Sequence, residues 1–260
     1  MIFKSSHGDI FYNIYGPENS LVIAFVHGML VDHKMFEKQI SEFKDEYRVL
    51  VWDMPEHGQS VKRDKTFDFA IAAKCFVELL DELGIQKTVL AGVSMGGYVS
   101  QYIANKHPER IMGVAIEGSH PLHSKLSKPM HFGLMMGSFM FKYVPLSIFK
   151  NYSIKMTPGD EEKKYIEETF SQLDRKRAMH IYEGLRQQIL KGIDKPVQLP
   201  VLITNGEKEA SFIRNTCAQW HNSNPEIQYV VIPGAGHDAM FTNPAEYHKA
   251  FRSFLAKLKY

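Results

Sequence analysis

Cysteine is scarce, with only Cys75 and Cys217 in 260 residues. Two thiols in helix-like segments cannot form a disulfide framework, so buried, reduced side chains are expected. No run approaches the roughly 18 consecutive apolar residues that a membrane-spanning helix needs. Residues 1–9 also lack the basic start, apolar middle and small-residue cleavage site of a secretory signal, and a cytoplasmic location is the expectation. A dense block of one charge is missing too. The net charge is +2 with the signs interspersed, which argues against a nucleic-acid partner. There is no G-x-G-x-x-G, no Walker loop and no H-E-x-x-H, so neither a nucleotide cofactor nor a metal is expected.

What is present is an ordinary globular composition, 44% hydrophobic and 23% charged. That length suits one large α/β domain, or a core carrying an insertion. Hydrophobic periodicity predicts strands at 2–5, 9–15, 21–26, 47–52, 88–93, 111–116, 199–204 and 227–232. The first two read as a hairpin turning at His7 and Gly8. Several of the others are unbroken apolar runs, as in strands buried on both faces. Helical spacing is predicted at 34–43, 69–83, 211–220 and 244–258. Strands alternating with helices in this way predict a mostly parallel eight-stranded sheet covered on both faces.

The alternation stops between residues 119 and 195, where no strand pattern occurs and helices are predicted at 129–143, 160–173 and 175–190. The expected organisation is a core of 1–118 and 196–260, with 119–195 inserted as a helical lid. Met130, Phe132, Leu134, Met135, Met136, Phe139, Met140 and Phe141 make that insertion rich in adaptable apolar side chains. Such a set suits either a pocket for an acyl chain or simply the packed core of the lid.

The strand at 88–93 runs into Gly92-Val93-Ser94-Met95-Gly96 and then a helix. G-x-S-x-G at a strand-to-helix turn is the pattern of a nucleophile elbow, in which Ser94 takes strained dihedrals and the glycines remove side chains that would collide. The first amides of the following helix then lie beside the hydroxyl. A serine hydroxyl is a weak nucleophile at neutral pH and needs an imidazole to accept its proton. Among twelve histidines, His237 stands out, because it lies in a glycine-bounded loop after the 227–232 strand. His120, just after a strand, is a reserve. His27 reads as a loop support.

These residues together resemble the α/β-hydrolase fold family. His27-Gly28 is similar to that family's oxyanion loop, Asp53 to Ser60 resembles its D-x-x-G-x-G-x-S segment, and Gly92 to Gly97 matches the elbow. Gly206 to Glu209 falls at the acid loop, and Gly234 to His237 at the histidine loop. The resemblance implies a Ser94, acid, His237 triad in that chain order. The family usually places Asp at the last position of the acid loop, where this chain has Glu209; Glu117, after the 111–116 strand, is the rival because some members carry the acid there. Glu207 and Asp238 read as solvated loop residues and Asp53 as a turn organiser. The backbone amides of Met95 and Met29 are the expected oxyanion donors.

The expected activity is that of a carboxylesterase-like serine hydrolase on a small to medium apolar ester. A carbon–carbon bond hydrolase or thioesterase would use the same triad, and a low-turnover ligand-binding protein would keep the fold alone. The expected partner is a small-molecule ester, with oligomeric state left open.

Overall fold

The structure is a computed structural model that describes residues 1–62, 65–157 and 159–258. Eight strands form one sheet: β1 (Ile2–Ser5), β2 (Gly8–Tyr15), β3 (Val22–Val26), β4 (Arg48–Trp52), β5 (Thr88–Val93), β6 (Ile111–Glu117), β7 (Val201–Gly206) and β8 (Gln228–Ile232). Their order across the sheet is β1-β2-β4-β3-β5-β6-β7-β8. β1 pairs antiparallel with β2 and β2 with β4, and every later pairing is parallel.

The side-chain period of two explains the two hydrophobic layers. Leu50 and Trp52 of β4 point into one, with Phe76, Val99 and Ile116. Val49 and Val51 point into the other, with Phe25, Phe43, Phe251 and Phe254. β3 and β5 are buried along their whole length, whereas β1 alternates between exposed and half-buried residues. Central parallel strands covered on both sides need continuous apolar runs, and an edge hairpin does not.

The helices of the core are α1 (Glu37–Phe43), α2 (Phe69–Glu82) and α3 (Met95–Lys106), and, past the insertion, α8 (Ser211–Ser223), α9 (Ala239–Thr242) and α10 (Pro244–Leu255). The Asp68 carboxylate caps α2 by accepting from the amides of Ala70 and Ile71, supplying an acceptor to donors that have none inside the helix. Between β6 and β7 lie α4 (Lys128–Tyr143), α5 (Leu146–Met156), α6 (Asp160–Ser171) and α7 (Arg175–Lys191). The predicted helices at 129–143, 160–173 and 175–190 are all there. α5 was not predicted, because Val144 and Pro145 break the pattern and polar Lys150, Asn151 and Ser153 interrupt the apolar spacing that follows. The predicted helix at 34–43 begins as a 3₁₀ turn over His33–Phe36.

Parallel register decides where the loops converge. Val26 is level with Gly92, Val93 with Glu117, and Gly206 with Ile232. The segments leaving β3, β5, β6, β7 and β8 therefore emerge on one edge of the sheet.

Candidate active site

Ser94 sits between β5 and α3 with φ 52° and ψ −117°, a conformation that costs a non-glycine residue on the order of 1–3 kcal/mol. The surroundings enforce it. A Cβ at Gly96 would lie 2.0 Å from the carbonyl oxygen of Val26, and one at Gly92 would lie 2.3 Å from that of Gly96. Glycine is thus required at both positions by close backbone approach. The Ser94 amide donates to the Glu117 carbonyl at 2.7 Å, which fixes the turn to the neighbouring strand.

His237 lies in the loop after β8. Its Nε2 is 2.9 Å from Ser94 Oγ, and its Nδ1 is 2.7 Å from Glu209 Oε2. Glu209 follows β7, its other carboxylate oxygen accepts from the Ala210 amide at 2.6 Å, and its side chain is buried. The two loops lock together: Glu207 and Lys208 donate their amides to Ile232 and Ala235, and the Glu207 carboxylate accepts from the Gly234 amide at 2.9 Å. Glu207, exposed in its loop, braces the histidine loop through that contact.

The rival acid goes elsewhere. Glu117 is fully buried at the end of β6, and both of its carboxyl oxygens accept from the Met240 amide, at 2.9 and 3.0 Å. Burial pushes this carboxyl well above the usual range, and its bonds to the Met240 amide tie β6 to α9. Burial also acts to raise Glu209, yet the imidazole bonded to it wins and leaves its carboxyl below the usual value. For His237, burial acts downward. The Glu209 hydrogen bond and the charges of Asp238 and Glu209 outweigh it, and the imidazole is raised to about 9.

His27 is buried and bridges two segments. Its Nδ1–H donates to the Gly28 carbonyl at 2.8 Å, and its Nε2 accepts from the Met54 amide at 3.0 Å. Burial lowers its pKa, which suits a neutral ring with this division of roles. The bridge holds Gly28 against the elbow, where an added Cβ would sit 3.8 Å from Ser94 Cβ. The amide of Met29 follows directly and has no hydrogen-bond acceptor among the described residues. The amide of Met95 is the first of α3 and lacks an intrahelical acceptor. Asp53 organises its turn by accepting from the amides of His33 and Gln59, each at 2.8 Å, and from His33 Nδ1.

Ser94 and His237 open on a cavity of about 280 Å³ whose other walls include Met130, Leu134, Ile189 and Ile213. Two polar groups on that wall had no sequence signal as a pair. Tyr98 hydroxyl and His120 Nδ1 are 2.5 Å apart, and His120 Nε2 has no partner among the described residues. Burial lowers His120 to about 4, so the ring is neutral. Tyr98 lies on the first turn of α3 and His120 beyond β6, and only the fold brings them together.

A strained hydroxyl, an imidazole and a carboxylate in series, with two open amides alongside, form an arrangement able to move a proton from oxygen to nitrogen while charge develops nearby. A family model described as alpha/beta hydrolase fold matches residues 22–146. The dihydrolipoyllysine-residue acetyltransferase component of the acetoin cleaving system of Pseudomonas putida is 26% identical over 252 residues, covering 93% of this chain and 65% of that protein. The 3-oxoadipate enol-lactonase 1 of Acinetobacter baylyi is 31% identical over 106 residues, 41% of this chain and 40% of the relative. The chain thus spans less than two thirds of these relatives' length. Among solved structures, a thermophilic esterase from Thermogutta terrifontis superposes with a TM-score of 0.81 at 22% identity, over 99% of this chain and 98% of the other.

Proposed function

We propose that this chain, which has the α/β-hydrolase fold, is a serine hydrolase that cleaves a small to medium apolar carboxylic ester. The observation that carries the reading is the unbroken series Ser94 Oγ, His237 and Glu209, with separations of 2.9 and 2.7 Å. Ser94 Oγ attacks the carbonyl carbon as its proton passes to His237 Nε2, and Glu209 steadies the imidazolium through Nδ1–H. The oxyanion is received by the amides of Met95 and Met29, each such donor contributing on the order of 3–4 kcal/mol. His237 then gives its proton to the departing alkoxide. A water deprotonated by the same nitrogen releases the acid and restores Ser94.

The substrate class follows from the cavity, whose apolar wall receives an acyl or alkyl group. Residues 119–195 serve in this reading as a lid over it. The esterase and the enol-lactonase among the similar proteins act on esters by name, in keeping with this class.

The experiment is covalent labelling of the folded protein with a fluorophosphonate, followed by peptide mapping. An adduct on Ser94 that disappears in His237→Ala is expected. Folded protein that takes no adduct at Ser94 overturns the reading and leaves a ligand-binding role. One observation favours a second reading, carbon–carbon bond hydrolysis: the neutral Tyr98–His120 pair on an otherwise apolar wall suits a substrate with a second carbonyl. Turnover of a diketone in preference to a simple ester of equal size distinguishes it.

A further inference from the structure

Signs are interspersed along the chain as a whole, but not between residues 119 and 157. That segment holds Lys125, Lys128, Lys142, Lys150 and Lys155 and no Asp or Glu. With a whole-chain net charge of +2, the remainder of the molecule is net negative. The positive charge is concentrated on α4, α5 and the approach to them.

The same two helices carry the main exposed apolar surface of the insertion. On α4, Phe132, Met135, Phe139 and Tyr143 recur at helical spacing on one face, and on α5 Ile148 and Tyr152 are exposed as well; each of the six is more than half exposed. The opposite face of α4 is already used. Met130 and Phe141 are buried, and Leu134 lines the cavity beside Ser94. A helix apolar on both faces normally has both covered, and exposed patches of this kind mark interaction surfaces.

Four of the five lysines, Lys125, Lys128, Lys142 and Lys155, are exposed and form no ion pair among the described residues. The fifth, Lys150, lies 3.8 Å from Glu167. Lys142 Nζ stands 5.1 Å over the Tyr143 ring, at the border between the charged and apolar parts. Among the described residues, no single helix is long and apolar enough to cross a membrane. α4 and α5 reach that length and composition only together, with a bend of 116° between them.

From this geometry we infer that the outer face of α4 and α5 docks on an anionic lipid surface, its aromatic residues in the interfacial layer and its lysines among the headgroups. Amphipathic interfacial helices combine these two features. A second copy of the chain suits the face poorly, since a two-fold contact sets lysines of one copy against lysines of the other. The docking does not depend on the hydrolase reading. One consequence does: the helix touching lipid on one face lines the Ser94 cavity with the other, so a lipid-dissolved ester reaches that cavity through the α4 wall.

The test is co-sedimentation of the full chain with phosphatidylcholine vesicles, with and without phosphatidylglycerol, at about 0.15 M salt, where surface charges interact over roughly 8 Å. Binding to the phosphatidylglycerol vesicles and little to the others is expected. Each lysine contributes about fivefold, equivalent to ~1 kcal/mol, so K128Q/K142Q/K155Q loses on the order of 100-fold in partitioning. F132S/F139S/Y143S is expected to lose at least about tenfold through its missing apolar contact, with an unchanged far-ultraviolet spectrum and melting temperature. Wild-type protein left in the supernatant with both vesicle types overturns the proposal. So does a lysine variant that binds like the wild type, or a wild-type dimer that the aromatic substitutions dissociate. Sedimentation needs no turnover, so its outcome is independent of labelling at Ser94.

Discussion

At the scale of single residues, the proposed reaction rests on three side chains in series, Ser94, His237 and Glu209. Ser94→Ala and His237→Ala are each expected to lower kcat by roughly 10⁴-fold or more, because members of such a unit fail together; hydrolysis of a short soluble ester by protein with unchanged circular dichroism checks this. Glu209→Gln is expected to lose most activity as well, while Glu117→Gln, whose side chain bonds the Met240 amide instead of the imidazole, keeps it. The pH dependence has a definite sign. The imidazole must be neutral to accept a proton, and Glu209 with Asp238 hold it protonated to higher pH than usual. kcat/KM is therefore expected to rise with pH through an ionisation above the ordinary 6.5. In Glu209→Gln, which removes the main raising influence, that ionisation moves down; a profile from pH 5 to 10 on both proteins reads it.

At the scale of elements, the site is built where strands end. β5 delivers Ser94, β7 delivers Glu209 and β8 delivers His237, and the strained turn at Ser94 survives because Gly96 lets α3 approach β3. Gly96→Ala sets a methyl 2.0 Å from the Val26 carbonyl and is expected to destabilise by about 1–3 kcal/mol, with activity lost in the folded fraction; urea unfolding and ester turnover on the same samples separate the two effects. Glu117 joins β6 to α9, and burial holds its carboxyl above the usual range. A group whose folded pKa is raised contributes stability below its unfolded value and loses it as pH climbs toward the folded one. Glu117→Gln keeps an oxygen to accept from Met240 and has no proton to lose. Its melting temperature relative to wild type is accordingly expected to improve from pH 5 to pH 9, measured by calorimetry. α5 marks the limit of reading elements from pattern: Val144 and Pro145 imitate the end of a helical region, while packing against α6 rebuilds a helix just beyond.

At the scale of the whole molecule, acid stability follows from carboxylates held ionised. Burial raises Asp53, but its bonds to His33 and Gln59 prevail and keep it below the usual 3.8. A depressed carboxylate contributes stability above its unfolded value that fades as pH falls through the folded one. The melting temperature is thus expected to decline below about pH 4, and in Asp53→Asn to be lower at pH 7 with a shallower acid slope. The alternation of apolar runs and helical spacings determined by itself the sheet, its mostly parallel sense and the helical character of 119–195, because period and continuity of burial are written along the chain. G-x-S-x-G and the glycine-bounded loop likewise marked Ser94 and His237, since a forced backbone conformation demands particular residues locally. Which carboxylate reaches the imidazole was decided only by tertiary structure. Glu117 ends β6 and Glu209 follows β7 at the same edge; the Met240 amide of α9 takes the first, and the second meets His237. The Tyr98–His120 pair arose in the same way, from neighbours in space whose separation along the chain carries no periodic signal.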